Sequence, residues 1–179
     1  MWQPPSGLWN RPIAWGSMFL RILPLLILLS LSQADAPETC PVTKPYQASL
    51  FVPPSPYPAK ASAGDFWFGS DKLWTALPVN GTWRGLPHYT PSDPTFRQKL
   101  AFWREGYDWH TEPQPRLKVT GKRLDSPAPP LLSDQANNGW VKPEQPFMVT
   151  GINFPTLGCW EITGHYQDDE LTFVVWVAK

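Results

Sequence analysis

Trp160-Glu161-Ile162-Thr163-Gly164-His165-Tyr166, then Gln167-Asp168-Asp169-Glu170, then Leu171-Thr172-Phe173-Val174-Val175-Trp176-Val177: two alternating apolar runs flank a short polar break. Side chains along a strand alternate between faces. Trp160, Ile162, Gly164 and Tyr166 therefore share one face, and Cys159, Glu161, Thr163 and His165 share the other. In the second run Leu171, Phe173, Val175 and Val177 oppose Thr172, Val174 and Trp176. Two such runs joined by a turn-forming segment read as an antiparallel hairpin. The second strand is apolar on both faces, so cover is expected on both.

Upstream the pattern repeats. Phe147 to Phe154 reads as a strand, and Pro155-Thr156-Leu157-Gly158 turns it into the hairpin. Leu117 to Lys122 alternates as a half-buried strand, and Ser126-Pro127-Ala128-Pro129-Pro130 forces a loop after it. Arg123 and Asp125 are placed to form an ion pair at that strand end. Phe96 to Arg104 puts Phe96, Gln98, Leu100 and Phe102 on one face. Asp65 to Gly69 is short and aromatic. Asn80-Gly81 is favoured where both turn residues need positive φ, so 73–86 is expected to be a hairpin. Asn80-Gly81-Thr82 also spells a glycosylation sequon, but the turn already accounts for it. The chain carries 23 Pro, a density helices do not tolerate and short strands with Pro-marked turns do. The expected fold is an all-β, two-sheet antiparallel sandwich over residues 65–179.

Residues 37–64 hold seven Pro before any clear strand and read as an extended leader, partly polyproline in conformation. Ahead of it, Ile22 to Ser32 is an apolar run of 11, preceded by Arg21 and followed by Ala34-Asp35-Ala36. A positive start, a short apolar middle and small residues at the end are the marks of a secretory signal peptide. As a helix, 11 residues reach about 17 Å, short of the roughly 30 Å hydrocarbon core. The expectation is a signal over 1–36, best started at Met18, with no membrane span after cleavage. Cys40 and Cys159 are the two cysteines. In an oxidising compartment they are expected to form one disulfide, with the leader crossing the outer side or edge of the last hairpin.

Lys plus Arg and Asp plus Glu are 15 each, which argues against a nucleic-acid partner. The sequence holds no Gly-rich phosphate loop, no Gly-x-Ser-x-Gly elbow and no CxxC or HxH spacing, so no cofactor, nucleophilic serine or metal site is expected.

Some motifs resemble a known group. They are Cys40-Pro41-Val42-Thr43, the stretch Val119 to Leu131 containing Gly121-Lys122-Arg123-Leu124-Asp125, and Phe154-Pro155-Thr156-Leu157-Gly158-Cys159-Trp160-Glu161. Together they resemble an uncharacterised group of small exported bacterial proteins, with Lys122 where that group has Arg. The resemblance is firm over about 117–177 and looser over 65–116. It implies an extracytoplasmic location and an immunoglobulin-like β-sandwich. The group has no assigned activity, so the resemblance carries no catalytic residues.

The densest chemistry lies at Trp103-Arg104-Glu105-Gly106-Tyr107-Asp108-Trp109-His110-Thr111-Glu112. Carboxylates flanked by aromatics are what a glycoside hydrolase uses, with Glu105 and Asp108 as the pair here. Charged residues in a loop between strands are also ordinary. Aromatic rings equally stack on the flat C–H faces of sugars. The candidate binding residues are Trp103, Tyr107, Trp109, Trp67 and Trp83, although most Trp in a small sandwich fill the core. The leading expectation is a non-catalytic exported module that binds a surface polysaccharide or an envelope protein. A weak hydrolase and an accessory subunit of an envelope assembly are the alternatives.

Overall fold

The computed structural model describes residues 35–46 and 50–179. The expected signal segment lies, up to residue 34, outside the described residues. Ten strands and no helix form the described part: β1 Asp65–Gly69, β2 Trp74–Pro78, β3 Thr82–Arg84, β4 Phe96–Phe102, β5 Lys118–Arg123, β6 Leu131–Ser133, β7 Asn137–Trp140, β8 Pro146–Phe154, β9 Gly158–Tyr166 and β10 Asp169–Ala178.

One sheet has the order β3-β10-β9-β5-β6, the other β4-β8-β7, and β1-β2 forms a separate hairpin. All pairs are antiparallel except β3 with β10. Strands β4, β8 and β7 hold the places of B, E and D, and β5, β6, β9 and β10 those of C, C′, F and G. This is the two-sheet order of an immunoglobulin-like sandwich.

The alternation in the sequence explains the core. Met148, Thr150, Ile152 and Phe154 of β8 are buried, as are Trp160, Ile162 and Tyr166 of β9 and Phe173, Val175 and Val177 of β10. Each buried apolar side chain contributes about 1.5–3 kcal/mol. The sheets pack closely at Gly164, where an added Cβ would lie 2.4 Å from the Phe102 ring of β4. Phe154 meets Trp83 at 5.9 Å and Trp160 at 5.4 Å between ring centroids.

Two expectations are corrected. The segment 73–86 is not a hairpin, because β2 pairs with β1 while β3 pairs in parallel with β10. Asn80-Gly81 does turn the chain, with Gly81 at φ 68° and Thr82 N donating to Asn80 Oδ1 at 3.0 Å. The turn passes the chain from the hairpin to the open edge of β10, where Trp176 N donates to Gly81 O at 2.8 Å. The last hairpin closes more tightly than the sequence suggested. Asp169 pairs with Tyr166, so the turn is Gln167-Asp168 alone, with Gln167 in the left-handed region at φ 55°.

The leader packs onto the sandwich. Cys40 and Cys159 form the expected disulfide. Thr43 N donates to Val174 O at 2.8 Å, and Val174 N donates to Thr43 Oγ1 at 2.9 Å. The leader thus follows the edge of β10, one of the two paths expected. Phe51 and Tyr57 then pack on buried Trp74, at 5.4 and 5.3 Å. Tyr57 OH donates to Pro146 O at 3.0 Å. Arg123 and Asp125 form their ion pair at 2.7 Å, and Asp125 also accepts from Cys159 N at 3.2 Å, which holds the start of β9.

Candidate functional site

The β4–β5 loop, residues 103–117, closes one end of the sandwich beside the β9–β10 turn. Its start is fixed by two backbone bonds of 2.9 Å between Trp74 and Trp103, and by Glu105 N donating to Asp71 O at 2.9 Å. Gly106, at φ 68°, bends the chain back. Asp108 then organises the tip. Its carboxylate accepts from His110 N and lies against His110 Nδ1, both at 2.9 Å. The backbone hydrogen bond from His110, then the side-chain one, holds the Asp108 carboxyl below the usual carboxylate range.

This capped turn presents Trp109. Its ring stacks on His110 at 3.9 Å and on Trp140 of β7 at 5.1 Å, with 24° between the two indole planes. Trp140 is 52% exposed, so indole surface remains open to solvent.

Beside the stack lies a small polar groove of about 200 Å³, lined in part by Arg104, Asp108, Glu112, Tyr166 and Gln167. Tyr166 OH donates to Glu112 Oε2, and Tyr107 OH donates to Asn138 Oδ1. Asn138 Nδ2 donates to the Glu112 and Pro113 carbonyls at 2.9 and 3.0 Å. Arg104 Nη1 donates to Gln167 Oε1 at 2.7 Å. Burial, and after it the hydrogen bond to Glu112, pushes the Tyr166 phenol up to about 12. Burial also raises the Tyr107 phenol, with Tyr166, Glu112 and Asp108 adding to it. Both phenols therefore stay protonated near neutrality and act as hydrogen-bond donors.

The five aromatics chosen from sequence do not converge on one cleft. Trp83 lies between the sheets, against Phe154 and Phe173. Trp67 is buried edge-on to Trp103 at 5.1 Å, and its Nε1 donates to Pro58 O at 2.9 Å. Trp103 is half-buried against Phe147 of β8 at 5.2 Å. Tyr107 is 7% exposed and faces Tyr166. Trp109 lies in the loop, but it is half-buried and packs against the core cluster rather than standing free of it. Glu105 is exposed and lies outside the groove that Asp108 and Glu112 line.

His88 contacts Thr95 O, His110 contacts Asp108, and His165 contacts Glu170. Among the described residues no group of three or more His, Cys, Asp or Glu is placed to hold a metal. Sequence reading missed Trp140, whose signal was an indole in an otherwise polar run, Asn137-Asn138-Gly139-Trp140. It also missed the Glu112–Tyr166 bond, which joins residues 54 positions apart. Comparison with protein-family models, with curated proteins and with solved structures returns no match.

Proposed function

We propose that the protein is an exported, non-catalytic β-sandwich module that binds a cell-surface glycan at the loop end of the sandwich. The observation that carries this is the Trp109–Trp140 stack beside a polar groove. A half-exposed indole held by a second indole is a rigid platform for a sugar ring. Arg104, Asp108 and Gln167 alongside offer donors and acceptors to hydroxyls. Sites of this kind combine aromatic surface with a few placed polar groups. The loops at one end of an immunoglobulin-like sandwich are also where variable domains bind ligands, an analogy of fold alone. Export is supported by the signal pattern at 22–36 and by a disulfide, which persists in oxidising compartments. A hydrolytic role for Glu105 and Asp108 is disfavoured, since the first lies outside the groove and the second caps His110.

A panel of cell-wall and capsular polysaccharides, followed by calorimetry, tests the proposal. Trp140→Ala should weaken glycan binding by about tenfold, the size of a lost stacking contact. Its unfolding free energy should fall by no more than about 1.5 kcal/mol, the worth of the lost indole pair, which leaves the protein folded. Undiminished glycan affinity in Trp140→Ala would exclude this platform.

A further inference from the structure

We propose a second binding site, independent of the loop end: a groove on the outer face of the β4-β8-β7 sheet that takes a carboxylated saccharide through Arg97. This groove, of about 570 Å³, is the larger of the two. Register decides its floor. Leu100 and Phe102 point into the core, so Arg97 and Lys99 point outward, paired with Asn153 and Gly151 of β8. Gly151 leaves room for the guanidinium to lie flat on the sheet, because a Cβ there would be 2.6 Å from Arg97 Nη2. Tyr89, 63% exposed, covers the guanidinium at 4.3 Å from its ring centroid.

Arg97 is therefore held in place by packing while its donors stay uncommitted. Among the described residues no carboxylate lies within 4.0 Å of it, and its side chain makes no hydrogen bond. The nearby Asp93 carboxylate is engaged by Thr95 N and Oγ1, at 2.8 and 2.7 Å. A fixed planar fork with free donors matches a carboxylate. Lys99 adds a second positive charge on the same face, against one acidic group in the lining, Asp134.

The remaining lining selects a sugar over an acidic peptide. Gln135, Asn137 and Asn153 bring exposed carboxamides that make no side-chain hydrogen bond among the described residues. Each amide offers donors and an acceptor, and Asp134 offers acceptors, which together suit ring hydroxyls flanking a carboxylate. The Tyr89 ring supplies the flat surface.

Calorimetry with three probes tests this: oligogalacturonate, its methyl ester, and poly-glutamate. Oligogalacturonate should bind, and the uncharged ester should bind at least tenfold more weakly. Arg97→Gln should lower oligogalacturonate affinity at least tenfold. Tyr89→Ala, at an exposed loop position, should weaken it severalfold and serves if Arg97→Gln fails to fold. Trp140→Ala should leave it unchanged, so failure at the loop end and failure here are read separately. Oligogalacturonate binding that survives Arg97→Gln, or an ester that binds as well as the acid, would overturn the proposal. Poly-glutamate binding as tightly, and as dependent on Arg97, would replace the sugar with an acidic peptide and overturn it too.

Discussion

Tyr166 shows how one side chain can serve both core and surface. Its ring is 2% exposed and packs near Tyr107, while its hydroxyl reaches Glu112 in the long loop. The phenol is raised from its ordinary value of about 10 to about 12, first by burial and then by Glu112. A raised folded-state value means that the folded protein holds the proton more tightly than the unfolded chain. That stabilisation is complete below pH about 10 and is lost as the pH climbs from 10 toward 12. Tyrosinate absorbance should therefore show a step near pH 12 that Tyr166→Phe removes, with thermal stability falling over the same window. A titration in which all five tyrosines ionise near 10 would contradict it. The phenol's role was not legible in the sequence. Alternation placed Tyr166 on the core face, but nothing local indicates a carboxylate arriving from 54 residues away.

Strands were legible where alternation alone decides them and obscure where pairing decides. The clean patterns at 117–122, 147–154, 160–166 and 171–177 appear as β5, β8, β9 and β10. β6 and β7 have three and four residues, and Asn-Asn-Gly has little preference for extended structure. They exist because β5 and β8 offer partners. Missing β7 also meant missing Trp140. A turn was expected at Asn80-Gly81 and occurs there, but only Gly81 takes positive φ, and the strands were read wrongly, since a turn signal does not say which edge the outgoing strand will find. Gly81 has a second constraint, because an added Cβ would lie 2.6 Å from Val42 Cβ in the leader. Gly81→Ala should cost about 1–3 kcal/mol through backbone strain and crowding. It should also speed amide exchange at Thr43 and Val174. A denaturation midpoint equal to that of the parent, with unchanged exchange, would show that the leader yields without cost.

Across the whole molecule, the two-sheet fold and the disulfide could be read in advance, and the distribution of the aromatics could not. Trp67, Trp83, Trp103 and Trp109 all sit in aromatic runs, yet tertiary packing buries the first two and half-buries the other two. The Cys40–Cys159 bridge spans 119 residues. The chain-entropy model gives such a loop about 5 kcal/mol, and practice somewhat less. Replacing both cysteines by serine should lower unfolding free energy by about 3–5 kcal/mol in guanidinium titrations. A loss under about 1 kcal/mol would mean that the Thr43–Val174 seam holds without it. That seam also orders events in time. Thr43 and Val174 are 131 residues apart, so a ribosome adding about 5–20 residues per second supplies the second roughly 7–26 s after the first. Cys40 is a solitary thiol until Cys159 is made, 119 residues later, and Thr43 has no strand to lie against until Val174 follows. The earliest described residues to be synthesised are thus among the latest to find their place.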